Sequence, residues 1–269
     1  MILNAVLCDW IRLTTFKEQD YIKFLNAFNN HAEGYSREAS HRLQYTGFRT
    51  PHGFVGAGTQ KRRRHYYTEY SGAQAHPAFV QLLGELFQDT RCTRIDVQAT
   101  IIMPDGYDAR EVVDEFRDKL PHGRRMTLYE DWQQLTTIYM GSRKTKNGRV
   151  SRMYIKEWVG GKGLRFEIEY KGGWATDMWE YLRQGGLLEH LFTNELESLG
   201  NTDFSPFSAF YELVDGNLPA PRPVRVETSS PKLDWLLNTC EPVIVQMLND
   251  HDHGWKVRHW LESLLDWSR

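Results

Sequence analysis

Three stretches in the middle of the chain alternate polar and apolar residues, the period-two pattern of strands with one buried face. In "TRIDVQATI", Ile95, Val97, Ala99 and Ile101 share one face, and Arg94, Asp96, Gln98 and Thr100 share the other. In "SRMYIKEW", Met153 and Ile155 oppose Arg152, Tyr154 and Lys156. In "LRFEIEY", Leu164, Phe166, Ile168 and Tyr170 oppose Arg165, Glu167 and Glu169. Asn147-Gly148 supplies a turn before the second stretch, and "VGGKG" a turn before the third. "NAVLCDWIRLTTF" reads as a buried strand, "RLQYTGFRT" and "KRRRHYYTEYSG" as further strands, and "QQLTTIYMGSR" as another extended piece.

Helical spacing appears in "KEQDYIKFLNAFNN", where Tyr21, Phe24, Leu25 and Phe28 fall on one face. It recurs in "AHPAFVQLLGELFQDT", in "YDAREVVDEFRDKL" and from near Trp174 onward. Residues 214–231 hold four of the ten prolines and read as a linker between a main domain, 1–213, and a helical C-terminal segment, 232–269. Helices interleaved with hairpin-linked strands predict an α+β fold: a largely antiparallel sheet with flanking helices.

If the three alternating strands pair in one sheet, their charged faces collect two or three carboxylates, several cations and one tyrosine. A plain amphipathic sheet also alternates. Its solvent face more usually carries Thr, Ser and Lys than an R-x-D on one strand and R-x-E-x-E on another. Such a set has a definite chemistry open to it. A hard cation, Mg²⁺ or Mn²⁺, takes carboxylate, phosphate and water oxygens. It would polarise a scissile phosphate. A tyrosine phenol attacks once cations or a base help it lose its proton, and Arg152 and Lys156 flank Tyr154 on its own face. The product would be a phosphotyrosine link to a DNA 5′ end and a free 3′-hydroxyl.

Charge distribution sharpens this picture. The 269 residues carry 33 Lys/Arg against 35 Asp/Glu, which alone says nothing about nucleic acid. Residues 141–170 hold eight Lys/Arg against three Asp/Glu, whereas 171–269 hold eight against 15. The basic excess surrounds Tyr154, where a polyanion would be drawn in. The three cysteines, Cys8, Cys92 and Cys240, are far apart, so zinc-finger and disulfide frameworks are not expected. No apolar run reaches the length of a membrane span, and "MILNAVLCDWIRL" carries Asp9 inside its apolar run and lacks a basic n-region, so a signal peptide is not expected. The expected location is the cytoplasm.

The order of these segments resembles the Rep_trans family: rolling-circle plasmid initiators and the related relaxases of some integrative conjugative elements. "LCDWIRLTTF" looks like its D-W strand, and "HPAFVQLLGELFQDTRCTRIDVQATI" like its helix and R-x-D strand. "QLTTIYMGSRKTKNGRVSRMYIKEW" looks like its T-x-Y-x-G-S-R hairpin and R-x-Y-x-K, "LRFEIEY" like its R-x-E strand, and "LDWLLNTCEPVIVQML" like its C-terminal helix. The resemblance implies site-specific nicking of a DNA origin by a tyrosine with a divalent metal, in a prokaryotic cell and from a plasmid, phage or mobile element. Tyr154 matches the nucleophile, with Arg152 and Lys156 beside it. Asp96 and Glu167 match the acidic metal positions. Two departures stand out: Ile155 follows the tyrosine where the family often has Asp or Asn, and Thr100 replaces a frequent acid, for which Glu169 is the candidate substitute. A relaxase of the same family, and an inactive DNA-binding regulator on the same fold, are the alternatives. A host helicase and a second copy of the chain are candidate further partners beside DNA.

Candidate DNA contacts are Arg62, Arg63 and Arg64 in "QKRRRHYYTEY", where tyrosines could stack on bases, and Arg143, Lys144, Lys146, Arg149 and Arg165 around the later hairpin. A basic edge strand that discourages aggregation explains the first group nearly as well. His65 is expected to face solvent or phosphate, and His251 and His253 to lie in a solvated turn. "GGKG" lacks the context of a phosphate-binding loop.

Overall fold

A computed structural model describes residues 5–31, 37–85, 90–102, 126–130, 136–142, 144, 146–158, 161–199 and 210. The chain divides into two compact units, Met1–Arg222 and Pro223–Arg269, and every described residue lies in the first. The helix expected around residues 107–120, the linker at 214–231 and the C-terminal helices fall outside the described residues.

The described strands are β1 (Leu7–Thr15), β2 (Glu38–Arg42), β3 (Tyr45–Arg49), β4 (Gly53–Gln60), β5 (Arg63–Ser71), β6 (Arg91–Ile102), β7 (Met126–Glu130), β8 (Thr136–Met140), β9 (Gly148–Trp158) and β10 (Gly161–Lys171). They form one sheet in the order β2-β3-β4-β5-β1-β6-β10-β9-β8-β7, with every pairing antiparallel. The helices are α1 (Glu18–His31), α2 (Ala75–Glu85), α3 (Gly173–Arg183) and α4 (Leu188–Leu199). This is the α+β architecture expected, with strands the pattern did not announce. "RLQYTGFRT" straddles a turn at Leu43-Gln44 and joins two strands. Gly-rich "GFVGAGTQ" forms β4.

The helices cover one sheet face, where the apolar halves of the alternating strands meet them. Ile95, Val97, Ala99, Phe166, Ile168 and Met153 join Phe24, Phe28, Ala78, Leu82, Trp179 and Phe192 in one buried core. Each large side chain so buried contributes roughly 1.5–3 kcal/mol. Trp179 and Leu182 of "DMWEYLRQ" are packing residues, as their spacing suggests. In α1, Glu18 and Asp20 lie in the first turn, favourable to the helix dipole. Buried Asp20 also accepts from Thr15 and Thr90 at 3.0 Å each, tying the helix to β1 and to the start of β6. No helix among the described residues is long and apolar enough to cross a membrane.

Candidate active site

The opposite sheet face carries the polar halves of the same strands. β10 lies between β6 and β9, so register decides which side chains meet. Glu169 sits across from Asp96, Glu167 across from Gln98, and Arg165 across from Thr100. On the other side, Glu167 faces Arg152, Arg165 faces Tyr154, and Gly163 faces Lys156. Tyr154, Arg152, Lys156, Asp96, Glu167, Glu169 and Arg165 thus share one face.

This face is not a solvated one near its centre. Asp96 and Glu167 are 0% exposed, and Gln98, Thr100 and Arg165 are buried with them. Burying a carboxylate is costly unless a cation and hydrogen bonds hold it. Arg94 holds Asp96 at both oxygens, with its Nε 2.8 Å from Oδ1 and an amino nitrogen 2.5 Å from Oδ2. Arg152 donates to Glu167 Oε1. Glu169 contacts Arg94 at 3.1 Å and Lys171 at 2.9 Å. Even so, burial pushes the Asp96 carboxyl up to about 7, against Arg94, with Glu167 and Glu169 adding to the rise.

The Tyr154 hydroxyl donates to Glu167 Oε2 at 3.1 Å. The phenol's pKa is raised well above its ordinary value, by burial first and then by the Glu167 charge. Arg165 and Arg152 act in the lowering direction and are outweighed. Arg152 thus lowers this pKa as expected but does not prevail, because it is engaged by Glu167, and Lys156 stands exposed. One donor stays over. Arg152 Nε is buried without a hydrogen-bond partner among the described residues, beside the phenol and the carboxylate.

β1 adds an acid that the sequence reading passed over. A bulge between Cys8 and Trp10 interrupts its pairing with β6. Bulges re-aim side chains, and Asp9 thereby joins the charged face, 3.7 Å from Arg165. Its pKa is raised by burial and by Glu167, with Arg165, Arg152 and Lys156 opposing. A trace of this exists in the sequence: Cys8 and Ile11 both enter the core although three residues apart. That spacing breaks a period of two.

The carboxylates as placed do not fit a metal ion. Both oxygens of Asp96 accept from Arg94, and those of Glu167 accept from Arg152 and Tyr154. No three His, Cys, Asp or Glu side chains among the described residues converge as ligands.

The expected DNA contacts separate. Arg149 has the parity of Met153, not of Tyr154, so it points to the helix face. There it pairs with Glu195 of α4 at 2.8 Å and lies over Trp174. It is a packing residue, which corrects its assignment to DNA. Arg165 is buried, donating to Thr100 at 2.9 Å. Lys144 and Lys146 are exposed at the hairpin tip, and Arg143 lies outside the described residues. Arg62, Arg63 and Arg64 are exposed. Arg63 has the parity of the charged face and sits 4.9 Å over the Phe16 ring. Arg64 has the opposite parity and acts on Tyr21 of α1. The tyrosines of that strand are not free to stack on bases: Tyr66, Tyr67 and Tyr70 are all buried. His65 is buried too, with a ring nitrogen 2.6 Å from the Tyr45 hydroxyl. Alternation sends Tyr66 and Tyr70 to the helix face and His65 and Tyr67 to the charged face.

No protein-family model matches the chain, and no curated protein sequence matches it. Among solved structures, the rolling circle replication initiator protein of Geobacillus stearothermophilus aligns over 78% of this chain and 95% of its own, at 13% identity with a TM-score of 0.51. DynU16, from the dynemicin biosynthetic locus, aligns over 77% of this chain and 94% of its own at 12% identity, but its TM-score of 0.21 is too low to mark a shared fold. The chain is thus similar in fold, at a distance, to a rolling circle replication initiator.

Proposed function

We propose that this protein nicks and rejoins DNA, starting rolling-circle replication through Tyr154. The observation that carries the reading is the phenol of Tyr154 donating to buried Glu167, which Arg152 holds from its other oxygen. A tyrosine with a raised pKa needs a base at the moment of attack. Glu167 is in place to accept the proton as Tyr154 Oη bonds to phosphorus. The bond to the 3′-oxygen then breaks, and that oxygen takes a proton from solvent or Lys156. This leaves a 5′-phosphotyrosyl link and a free 3′-hydroxyl. Rejoining is the reverse, with Glu167 returning its proton.

The unpartnered Arg152 Nε and exposed Lys156 supply positive charge for the phosphoryl oxygens. Glu169 and Asp96 hold Arg94 and Lys171 in position behind them. No step uses a metal, because the oxygens of Asp96 and Glu167 are already taken by Arg94, Arg152 and the Tyr154 hydroxyl. A divalent requirement would mean that Arg94 or Arg152 releases its carboxylate first. The partner is DNA, single-stranded or extruded at the nick, since in-line attack needs an exposed phosphate. Neutralised carboxylates and a raised phenol pKa favour one second reading, a DNA-binding regulator without nicking activity.

A supercoiled plasmid carrying the DNA that flanks the protein's own gene separates the two. Nicked circles and a covalent protein–DNA adduct, with and without Mn²⁺, are expected of the enzyme. Binding without either product would support the regulator.

A further inference from the structure

Two hairpin tips at the far end of the charged face adopt backbone that side chains disfavour. In the β4–β5 turn, Lys61 and Arg62 have φ of 49° and 63°. Positive φ at both central residues marks a tight hairpin turn that ordinarily takes Asn-Gly. In the neighbouring β2–β3 turn, Leu43 has φ of 55° and is 80% exposed. Gly or Asn is the usual occupant there as well. Strain that the fold tolerates at exposed tips points to a use for the side chains.

A groove of about 500 Å³ lies between these tips, bordered by Leu43, Gln44 and Gln60. That volume falls in the ~300–1,000 Å³ range of small-ligand sites. Tyr45, His65 and Tyr67 form its buried floor, Phe16, 43% exposed, its accessible aromatic rim, and Arg12 and Arg91 part of its wall. Burial lowers the pKa of His65, so the floor is neutral as well as aromatic. No carboxylate among the described residues lines the groove. Around it, Lys61, Arg62, Arg63 and Arg91 are exposed and make no ion pair among the described residues. Exposed Phe16 and Leu43 beside these cations suit a ligand with flat apolar rings and a polyanionic backbone.

We propose that this groove takes an unstacked base of a single DNA strand, with Leu43 wedged against its neighbours and Lys61, Arg62, Arg63 and Arg91 on the phosphates. Apolar wedges that part base steps are a general device of DNA-binding proteins. The proposal rests on the DNA-processing reading above and adds a second contact to it. Along β6, Arg91 lies nine residues from Thr100, the level of Tyr154. This is ~30 Å at ~3.4 Å per residue. A stacked strand spans it in about nine nucleotides. The groove therefore holds DNA away from the scissile phosphate.

The test measures binding of the full chain to two 20-nucleotide strands, one of mixed sequence and one abasic throughout. Wild type is expected to bind the base-bearing strand about tenfold more tightly, since one stacked base contributes roughly 1–3 kcal/mol. Leu43→Gly relieves a strained φ, so it folds with an unchanged or higher Tm. It should bind the base-bearing strand about fivefold more weakly and the abasic strand unchanged. The Lys61→Asn/Arg62→Gly double variant should raise Tm and weaken both strands. Its salt slope should fall by about 1.4, at about 0.7 per phosphate contact. Equal binding of both strands by wild type, or wild-type affinity in Leu43→Gly, overturns the groove and leaves nicking standing. Failure to bind either strand overturns DNA processing itself.

Discussion

The charged sheet face has two ends, and they treat charge in opposite ways. At the Tyr154 end, Asp96, Glu167 and Arg165 are buried, and each is held by a partner of opposite charge or by hydrogen bonds. At the other end, Lys61, Arg62, Arg63 and Arg91 stand in solvent on strained or loop-proximal backbone. The first arrangement fixes geometry in a low dielectric, where a misplaced charge is costly. The second leaves cations free to meet an anion of variable path, and salt screens them. Reaction chemistry belongs to the first kind of surface, and tracking a polymer belongs to the second.

The largest break in this contrast comes from the proposed base, Glu167. Glu167→Gln keeps the shape and the bond to Tyr154 but removes the proton acceptor. Nicking rate should fall about 10²- to 10⁴-fold, measured as nicked circles per minute, while DNA affinity holds. A fall in affinity equal to the fall in rate would instead make Glu167 part of DNA binding. Next comes Arg94→Gln, which leaves Asp96 buried without its counter-ion. Loss on the order of 3 kcal/mol is expected in chemical denaturation, and a neutral outcome would mean that Asp96 is not charged when folded.

At the other end the sign reverses. Lys61→Asn/Arg62→Gly should stabilise by about 1–2 kcal/mol, as two strained positions receive residues that accept positive φ. Calorimetry reads this directly, and a loss of stability would refute the strain. The smallest effect belongs to His65, whose pKa burial lowers. The unfolded chain then binds the proton more readily below the ordinary value near 6.5. Stability should be full above that value and decline as pH falls through it. His65→Gln should flatten Tm between pH 7 and pH 5. An equal slope in the variant would assign it to other groups.

Much of the Tyr154 end was legible because strand parity is a local rule. Arg152, Tyr154 and Lys156, Asp96 and Gln98, and Glu167 and Glu169 were each assigned their face by counting in twos. Counting in twos also places Arg149 on the helix side with Ser151 and Met153, five residues from Tyr154. Charge alone had grouped it with the DNA contacts. Asp9 required knowing that β1 bulges, which depends on its two neighbours rather than on its own residues. Strand β4 was hidden by its glycines, which lower strand propensity. Its partner β3 shows why such residues are kept: a Cβ on Gly47 would run into the Val55 carbonyl oxygen. The proton partner of Tyr154 was out of reach too. Two cations adjoin that phenol in the sequence, but Arg152 is spent on a carboxylate that only the β9–β10 register brings beside it.

The central claim is that the oxygen of Tyr154 becomes bonded to DNA. The direct measurement is mass spectrometry of the covalent adduct formed on DNA flanking the protein's own gene, in wild type and in Tyr154→Phe. The account predicts a nucleotide-modified peptide containing Tyr154 in wild type, and no adduct with retained DNA binding in the variant. An adduct on another residue, or one that persists in Tyr154→Phe, would contradict it.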